Sequence, residues 1–301
     1  MLTFRRLLLS WVWILVLTVT VRAGDYPPDI QHIQDRGKLI VAVYYKDIPP
    51  FFMHVSAQSA PQGMRCQPSG NDTFFCGADV ELALDIADKL GVSCEFQQKA
   101  ETFDALIDIL NRHEADVAVS LLSDTLNRSQ KAAFTRPYVV LHTGMLLNRL
   151  FLAAYPENST LVGLLNHPTA KIGVKAGTSW VKYVHELFPQ AIIGEYPSWD
   201  PDVIAAVREG DIMAAFADEI EIKKVMIAKP DVAIELRTVF LKDITDPIAM
   251  AVPWDSFHLL QWLNTYLDMA QIHMTADSIL KKYPDSIKGA AEQTVTGGEK
   301  P

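Results

Sequence analysis

Apolar and polar positions along the chain follow two rhythms. Lys38 to Tyr45 is almost continuously apolar, rich in β-branched and aromatic residues, and is stopped by Pro49-Pro50, which predicts a central strand. Asp79 to Leu90 places Val80, Ala83, Leu84, Ala87 and Leu90 on one stripe and ends at Gly91, which predicts a helix. Val92 to Gln97 returns to strand chemistry, Thr102 is placed to cap a helix carrying Phe103, Leu106, Ile107 and Leu110, and Asp116 to Ser120 reads as a buried strand. Further strands are predicted at 171–174, 191–195, 211–217, 236–241 and 248–252. Helices are expected to open at Gly177-Thr178-Ser179, at Asp200-Pro201 and near Asp218, and an amphipathic helical stretch runs from Ser256 to Tyr283. Strands alternating with helices at this spacing predict an α/β fold with a mostly parallel sheet and helices on its faces.

The ends of the chain follow neither rhythm. Arg5 and Arg6, the apolar run Leu7 to Val16 and the small-residue pattern Val21-Arg22-Ala23 predict a secretory signal over residues 1–23, too short in its apolar core to span a bilayer. Residues 289–301 are small and polar and are expected to form a disordered tail. The 301 residues carry 27 basic and 36 acidic side chains, a net charge of −9, which argues against a nucleic-acid partner. An exported chain permits a disulfide, and Cys66 and Cys76 bracket a polar Pro- and Gly-containing stretch that such a bridge would close. Cys94 reads as a buried free thiol on a strand, and no Cys/His spacing resembles a metal site.

One ordered set of motifs goes further. Thr102-Phe103-Asp104-Ala105-Leu106-Ile107 with Asp116, then Ser120-Leu121-Leu122-Ser123-Asp124-Thr125-Leu126-Asn127-Arg128, then Ala133-Phe134-Thr135-Arg136-Pro137-Tyr138, resembles the bacterial extracellular solute-binding proteins of family 3, the polar amino-acid receptors of ABC importers. Pro49-Pro50-Phe51, Gly77-Ala78-Asp79, Gly177-Thr178-Ser179 and Gly210-Asp211 leading to Ala217-Asp218 extend the resemblance over about residues 35 to 285. It implies a two-lobe periplasmic-binding-protein-like fold of type II, with two crossing hinge strands and a ligand cleft closed by hinge motion. Lobe 1 is then expected to comprise residues 24–143 and 247–288, and lobe 2 residues 144–246.

The resemblance also implies roles. Arg128, one turn into a short helix, would hold a ligand carboxylate bidentately, helped by Ser123. Thr178 and Ser179 open a lobe 2 helix whose free N–H groups and positive end favour an anion. Asp218, at a strand end, would accept from the ligand ammonium. Tyr45, Phe51 and Phe103 are candidates for lining the pocket, although this chain has Ile48 where relatives often place a stacking aromatic residue. The insertion from His54 to Cys76 could cover the cleft mouth or be a plain surface loop. Asp104, Asp108 and Glu81 read as solvated helix faces or caps.

The expected function is therefore reversible capture of an amino acid or related carboxylate by a periplasmic monomer that delivers it to a membrane ABC permease, without a cofactor. An enzymatic alternative exists, because cyclohexadienyl dehydratases resemble these receptors and carry a strand-end Asp-x-Ile-Glu. Asp218-Glu219-Ile220-Glu221 reproduces that spacing, with Glu221 as the catalytic candidate. A third reading is a sensor or accessory binding protein with no importer.

Overall fold

A computed structural model describes residues 26–58, 63–154 and 160–284. The expected signal over residues 1–23 and the expected tail lie outside the described residues. The chain runs through α1 (Pro28–Arg36), β1 (Lys38–Tyr44), β2 (Met53–Ser56), β3 (Gln67–Gly70), β4 (Thr73–Cys76), α2 (Ala78–Leu90), β5 (Ser93–Ala100), α3 (Phe103–Asn111), β6 (Val117–Ala118), α4 (Leu126–Ser129), β7 (Ala132–Phe134) and β8 (Val139–Asn148). It continues with α5 (Arg149–Ala153), α6 (Leu161–Leu165), β9 (Lys171–Lys175), α7 (Ser179–Leu187), β10 (Ile192–Tyr196), α8 (Ile204–Glu209), β11 (Ala214–Asp218), α9 (Glu219–Ala228), α10 (Val232–Glu235), β12 (Leu236–Ile248), β13 (Ala251–Pro253), α11 (Phe257–Met269) and α12 (Ala276–Lys282).

Two five-stranded sheets make two lobes. In the first the strand order is β5-β1-β6-β13-β7, with β1 parallel to β5 and β6, and β13 antiparallel to its neighbours. In the second the order is β10-β9-β11-β8-β12, with β9, β10 and β11 parallel and β8 antiparallel to β11 and β12. Both faces of this second sheet are apolar: Met145 and Leu147 pack with Trp180 and Val184, while the intervening Leu146 packs with Trp199 and Val203. Strand alternation sends successive residues to opposite faces, so a sheet covered on both sides reads as one continuous apolar run.

β8 and β12 join the lobes. They pair from Val139↔Ile248 to Asn148↔Leu236, with an irregularity between Leu241 and Thr245. Val139, Leu141 and Ile248 belong to the lobe 1 core, whereas Met145 to Leu147 belong to the cores of lobe 2. The same two strands thus leave one hydrophobic core and enter the other, which is the expected place for a hinge.

Several local expectations are met in detail. Thr102 accepts from Ala105 N at 3.1 Å to start α3, and Gly91 closes α2 in the left-handed region at φ 72°. Others are corrected. The 236–241 strand continues to Ile248, and the following strand starts at Ala251. The stretch from Ser256 to Tyr283 is two helices, broken where Gln271 takes φ 51° and restarted by Thr275 through a capping box with Ser278. Asp200 does not cap the next helix: Ser198 accepts from Asp202 N, and Asp200 is paired with Lys229 at 2.7 Å.

The cysteine-containing insertion forms a separate sheet, β2-β4-β3, with Cys66 bonded to Cys76. His54 fastens it to the main body: its Nδ1 lies 3.0 Å from Asp47 Oδ1, and its Nε2 lies 3.0 Å from Ser69 Oγ. Cys94 is free and partly buried, and desolvation pushes its thiol up to about 12, which suits a packing role rather than a nucleophilic one. Among the described residues no helix is long and apolar enough to cross a membrane.

Candidate functional site

A cleft of about 510 Å³ opens between the lobes beside the hinge. Lobe 1 contributes Asp104 from α3 and Asp124 to Arg128, lobe 2 contributes Gly177 to Trp180 with Lys182, Tyr183 and Glu186 of α7, and β12 contributes Thr245, Asp246 and Pro247.

The lobe 1 wall is fixed by backbone bonds to the hinge strand. Asp124 N donates to Pro247 O at 2.9 Å, and Ala249 N donates to Leu122 O at 3.1 Å. The preceding turn is held from behind by Asp79 in the first turn of α2, which accepts from Leu121 N at 2.7 Å and from the Tyr138 hydroxyl at 2.8 Å. Leu121 sits at φ 47°, an unfavourable conformation for leucine that these bonds maintain. Burial pushes the Asp79 carboxyl up to about 7, against both hydrogen bonds.

Arg128 follows directly. Thr125 caps α4 by accepting from Arg128 N, and the guanidinium, 11% exposed, donates from Nε to Asp104 Oδ1 at 2.9 Å and from Nη1 to Ser123 O at 3.1 Å. It also lies over the Phe103 ring at 5.8 Å. Asp104 is a solvated helix residue, as the sequence suggests, that also lines the cleft and pairs with the arginine. Ser123 does not cap α4, since Thr125 does; its hydroxyl donates to Asp246 Oδ2 at 2.9 Å and lies 3.5 Å from Ser179 Oγ of lobe 2.

Opposite, Thr178 occupies the cap position of α7, but its hydroxyl donates to Lys175 O at 2.7 Å and does not cap the helix. The start of α7, with no side chain capping it, thus lines the cleft together with the Ser179 side chain.

Two acidic residues complete the picture. Asp218, 8% exposed, ends β11 and caps α9, accepting through Oδ1 from Ile220 N at 2.9 Å and Glu221 N at 3.0 Å. Burial, then the charges of Glu221 and Asp246, push its carboxyl up to about 7. It stands behind the cleft wall and is not one of the lining residues. Asp246 is, and the sequence reading missed it; its one local signal is a carboxylate inside an otherwise strand-like run. Burial pushes Asp246 up to about 6, opposed by the Ser123 hydrogen bond and the Arg128 charge.

The aromatic candidates divide. Phe103 stacks on Tyr44 at 4.8 Å with planes 8° apart, forming a ledge under Arg128, and Tyr45 packs edge-on against Tyr44 with 40% exposure. Neither Phe103 nor Tyr45 is among the lining residues. Phe51 is a correction: at 1% exposure it is part of the lobe 1 core, drawn inward because its carbonyl accepts from Asp79 N at the start of α2. Glu221 is paired with Lys224 at 2.8 Å and does not line the cleft. Among the described residues of the insertion none lines this cleft. Among the described residues no group of three His, Cys, Asp or Glu could hold a metal ion.

Comparison with known proteins agrees with this architecture. The histidine-binding periplasmic protein of Salmonella typhimurium is 28% identical over 156 residues, 51% of this chain and 56% of the relative. A probable ABC transporter extracellular-binding protein of Bacillus subtilis is 28% identical over 108 residues, 36% of this chain and 32% of the relative. The chain thus spans between about a third and somewhat over half of the length of these curated relatives. Among solved structures, an ancestral amino acid-binding protein described as a precursor of cyclohexadienyl dehydratase superposes with a TM-score of 0.60 at 23% identity, covering 84% of this chain and 98% of the other. A binding component of an ABC transporter from Wolinella succinogenes, complexed with lysine, gives a TM-score of 0.61 at 20% identity over 82% of this chain and 96% of the other. These likenesses are of fold, the two-lobe type II periplasmic-binding architecture. Residues 51–286 match one family throughout, and the chain belongs to the bacterial extracellular solute-binding proteins, family 3.

Proposed function

We propose that the protein is exported, captures a small α-amino acid-type ligand between its lobes, closes by bending β8 and β12, and delivers the ligand to a membrane ABC importer. The observation that carries this reading is convergence of opposite charge from three independent parts of the fold. Arg128 from lobe 1 and the open α7 start from lobe 2 supply the positive side, while Asp246 on the hinge strand and Asp218 behind it supply the negative side. A zwitterion satisfies both signs, and only the closed form brings them to one molecule. The lobes divide near residues 143 and 247, where β8 and β12 pass between the cores.

The relatives support the ligand class: one is named for histidine, and one solved neighbour holds lysine. The catalytic alternative depends on Glu221, whose carboxylate is engaged by Lys224 away from the cleft, an arrangement that favours capture without chemistry. The test is a thermal-shift screen of the protein against the α-amino acids and prephenate, with Arg128→Ala beside it. Stabilisation by an amino acid, lost in the variant, is the expected result. Stabilisation that survives Arg128→Ala, or formation of phenylpyruvate from prephenate, overturns the reading.

A further inference from the structure

Away from the cleft, the cysteine-containing insertion and the turn before it bring together an acid, an imidazole and a hydroxyl. His54 of β2 faces a different partner with each ring nitrogen: Nδ1 lies 3.0 Å from Asp47 Oδ1, and Nε2 lies 3.0 Å from Ser69 Oγ. An ionised carboxylate only accepts hydrogen bonds, so in the neutral ring Nδ1 carries the proton and Nε2 is the acceptor turned toward the serine. Asp47 is itself held in place, accepting from His54 N at 2.7 Å and from Gln98 Nε2 of β5 at 3.3 Å. The imidazole rests against the Phe75 ring, with centroids 4.8 Å apart.

The small sheet aims the serine. β4 lies between β2 and β3, and His54 reaches over Phe75, its partner on β4, to meet Ser69 on β3. The β3–β4 register breaks between Pro68, opposite Phe74, and Gly70, opposite Thr73, which leaves Ser69 as the unpaired residue of a bulge. Bulges redirect a side chain in this way. The Cys66–Cys76 bond ties the start of β3 to the end of β4. β3 is the edge of this sheet, so its outward backbone N–H groups meet no neighbouring strand among the described residues; such groups are the donors a developing oxyanion uses. His54 and Asp47 keep 38% and 36% of their side chains exposed, and Ser69 is exposed, so a small substrate can reach Oγ.

We propose that Ser69, His54 and Asp47 form a hydrolytic site for small carboxylic esters, with Ser69 as nucleophile, His54 as general base and acid, and Asp47 as the positioning residue. Ser69 Oγ attacks the ester carbonyl while His54 Nε2 takes its proton. The bond from the carbonyl carbon to the alcohol oxygen breaks, and Nε2 gives that proton to the departing alkoxide. Water then adds to the acyl-Ser69 carbonyl as it loses a proton to Nε2; the acyl–Oγ bond breaks, Oγ takes the proton back, and the acid is released. The site shares no residue with the cleft, so it goes beyond ligand capture and stands or falls separately from it.

Hydrolysis of p-nitrophenyl acetate tests this. The wild type should release p-nitrophenolate at least about a hundredfold faster than Ser69→Ala or His54→Gln, with Arg128→Ala unchanged. Peptide mass spectrometry of an acid-quenched reaction should find the acetyl group on Ser69. Asp47→Asn should slow the reaction at least about tenfold and move the ring proton of His54 from Nδ1 to Nε2 in the long-range proton–nitrogen NMR spectrum, a change that loss of a merely structural contact would not produce. The wild-type spectrum needs no variant to fold: a neutral ring protonated on Nε2 would donate to Ser69 instead of taking its proton, and overturns the inference. Hydrolysis that persists in Ser69→Ala is attack by the imidazole alone and overturns it too, as does acetyl found only on lysines.

Discussion

Ser123 and Asp246 lie 123 positions apart in the chain and are joined by a 2.9 Å hydrogen bond from Oγ to Oδ2. That bond ties the loop carrying the α4 cap to the hinge strand, so the group that polarises the cleft also reports on hinge position. A ligand that draws Asp246 away from Ser123, or closer to it, acts on the joint between the lobes directly.

Binding should release protons. Burial pushes Asp246 up to about 6 and Asp218 up to about 7, so near neutrality both are partly protonated in the free protein. A bound cation favours their ionised forms, and affinity for a cation-bearing ligand should rise between about pH 5 and about pH 8 and level off above. Titration near pH 6.5 in two buffers of different ionisation heat measures the proton directly. Heats that agree between the buffers would count against any coupling to these carboxyls.

Asp79 makes the free protein less stable as pH rises. Its folded pKa, about 7, lies above the unfolded carboxyl value, so its contribution is fully present below about pH 4 and is lost as pH climbs toward 7. Over pH 5 to 8 the loss amounts to about 2–3 kcal/mol for a shift of this size. Asp79→Asn should flatten that limb, and Asp79→Ala should flatten it as well while lying about 2–3 kcal/mol below Asp79→Asn at every pH, because Leu121 N–H and the Tyr138 hydroxyl lose their buried partner. Urea unfolding at both ends of the range separates the two outcomes.

What could be read from the sequence was local. The α2 stripe with Gly91 and the cap at Thr102 are set by residues within a few positions of each other, and the structure has them where the pattern placed them. The continuation of β12 past Leu241 is not local in this sense: pairing with β8 carries the strand across its irregularity. Asp246 escaped notice for the same reason: its partner is more than a hundred positions away. Asp104 reads as a solvated helix residue and 80% of its side chain is indeed exposed; what the sequence does not show is its pairing with Arg128, 24 positions away.

The disulfide should matter for stability and not for ligand. Cys66 and Cys76 are separated by 10 positions, and closing a loop of that length in the unfolded chain is worth about 2–3 kcal/mol. The double variant C66S/C76S should lose that much in unfolding free energy, yet bind within about twofold of wild type, because the sheet it braces contributes nothing to the cleft lining. A large loss of affinity in a folded double variant would show that the insertion reaches the ligand after all.

Gly77 tests the support behind the site. It takes φ +132°, and a Cβ there would lie 2.2 Å from Phe51 O, the carbonyl that accepts from Asp79 N at 2.9 Å. A side chain must either push residues 50–51 outward or unwind the first turn of α2, and either movement displaces Asp79 from the Leu121 turn that leads to Ser123. Gly77→Ala should therefore cost about 2–4 kcal/mol and also weaken ligand binding, although residue 77 touches no part of the cleft. Gly91→Ala is the matched comparison: it also has a positive φ, but nothing lies within 4 Å of its Cβ. That variant should cost only about 1 kcal/mol and leave affinity alone, since the strain is confined to a helix end far from Asp79. Equal effects of the two glycines on affinity would mean that backbone strain alone, and not the chain from Gly77 through Asp79 to Leu121, governs the site.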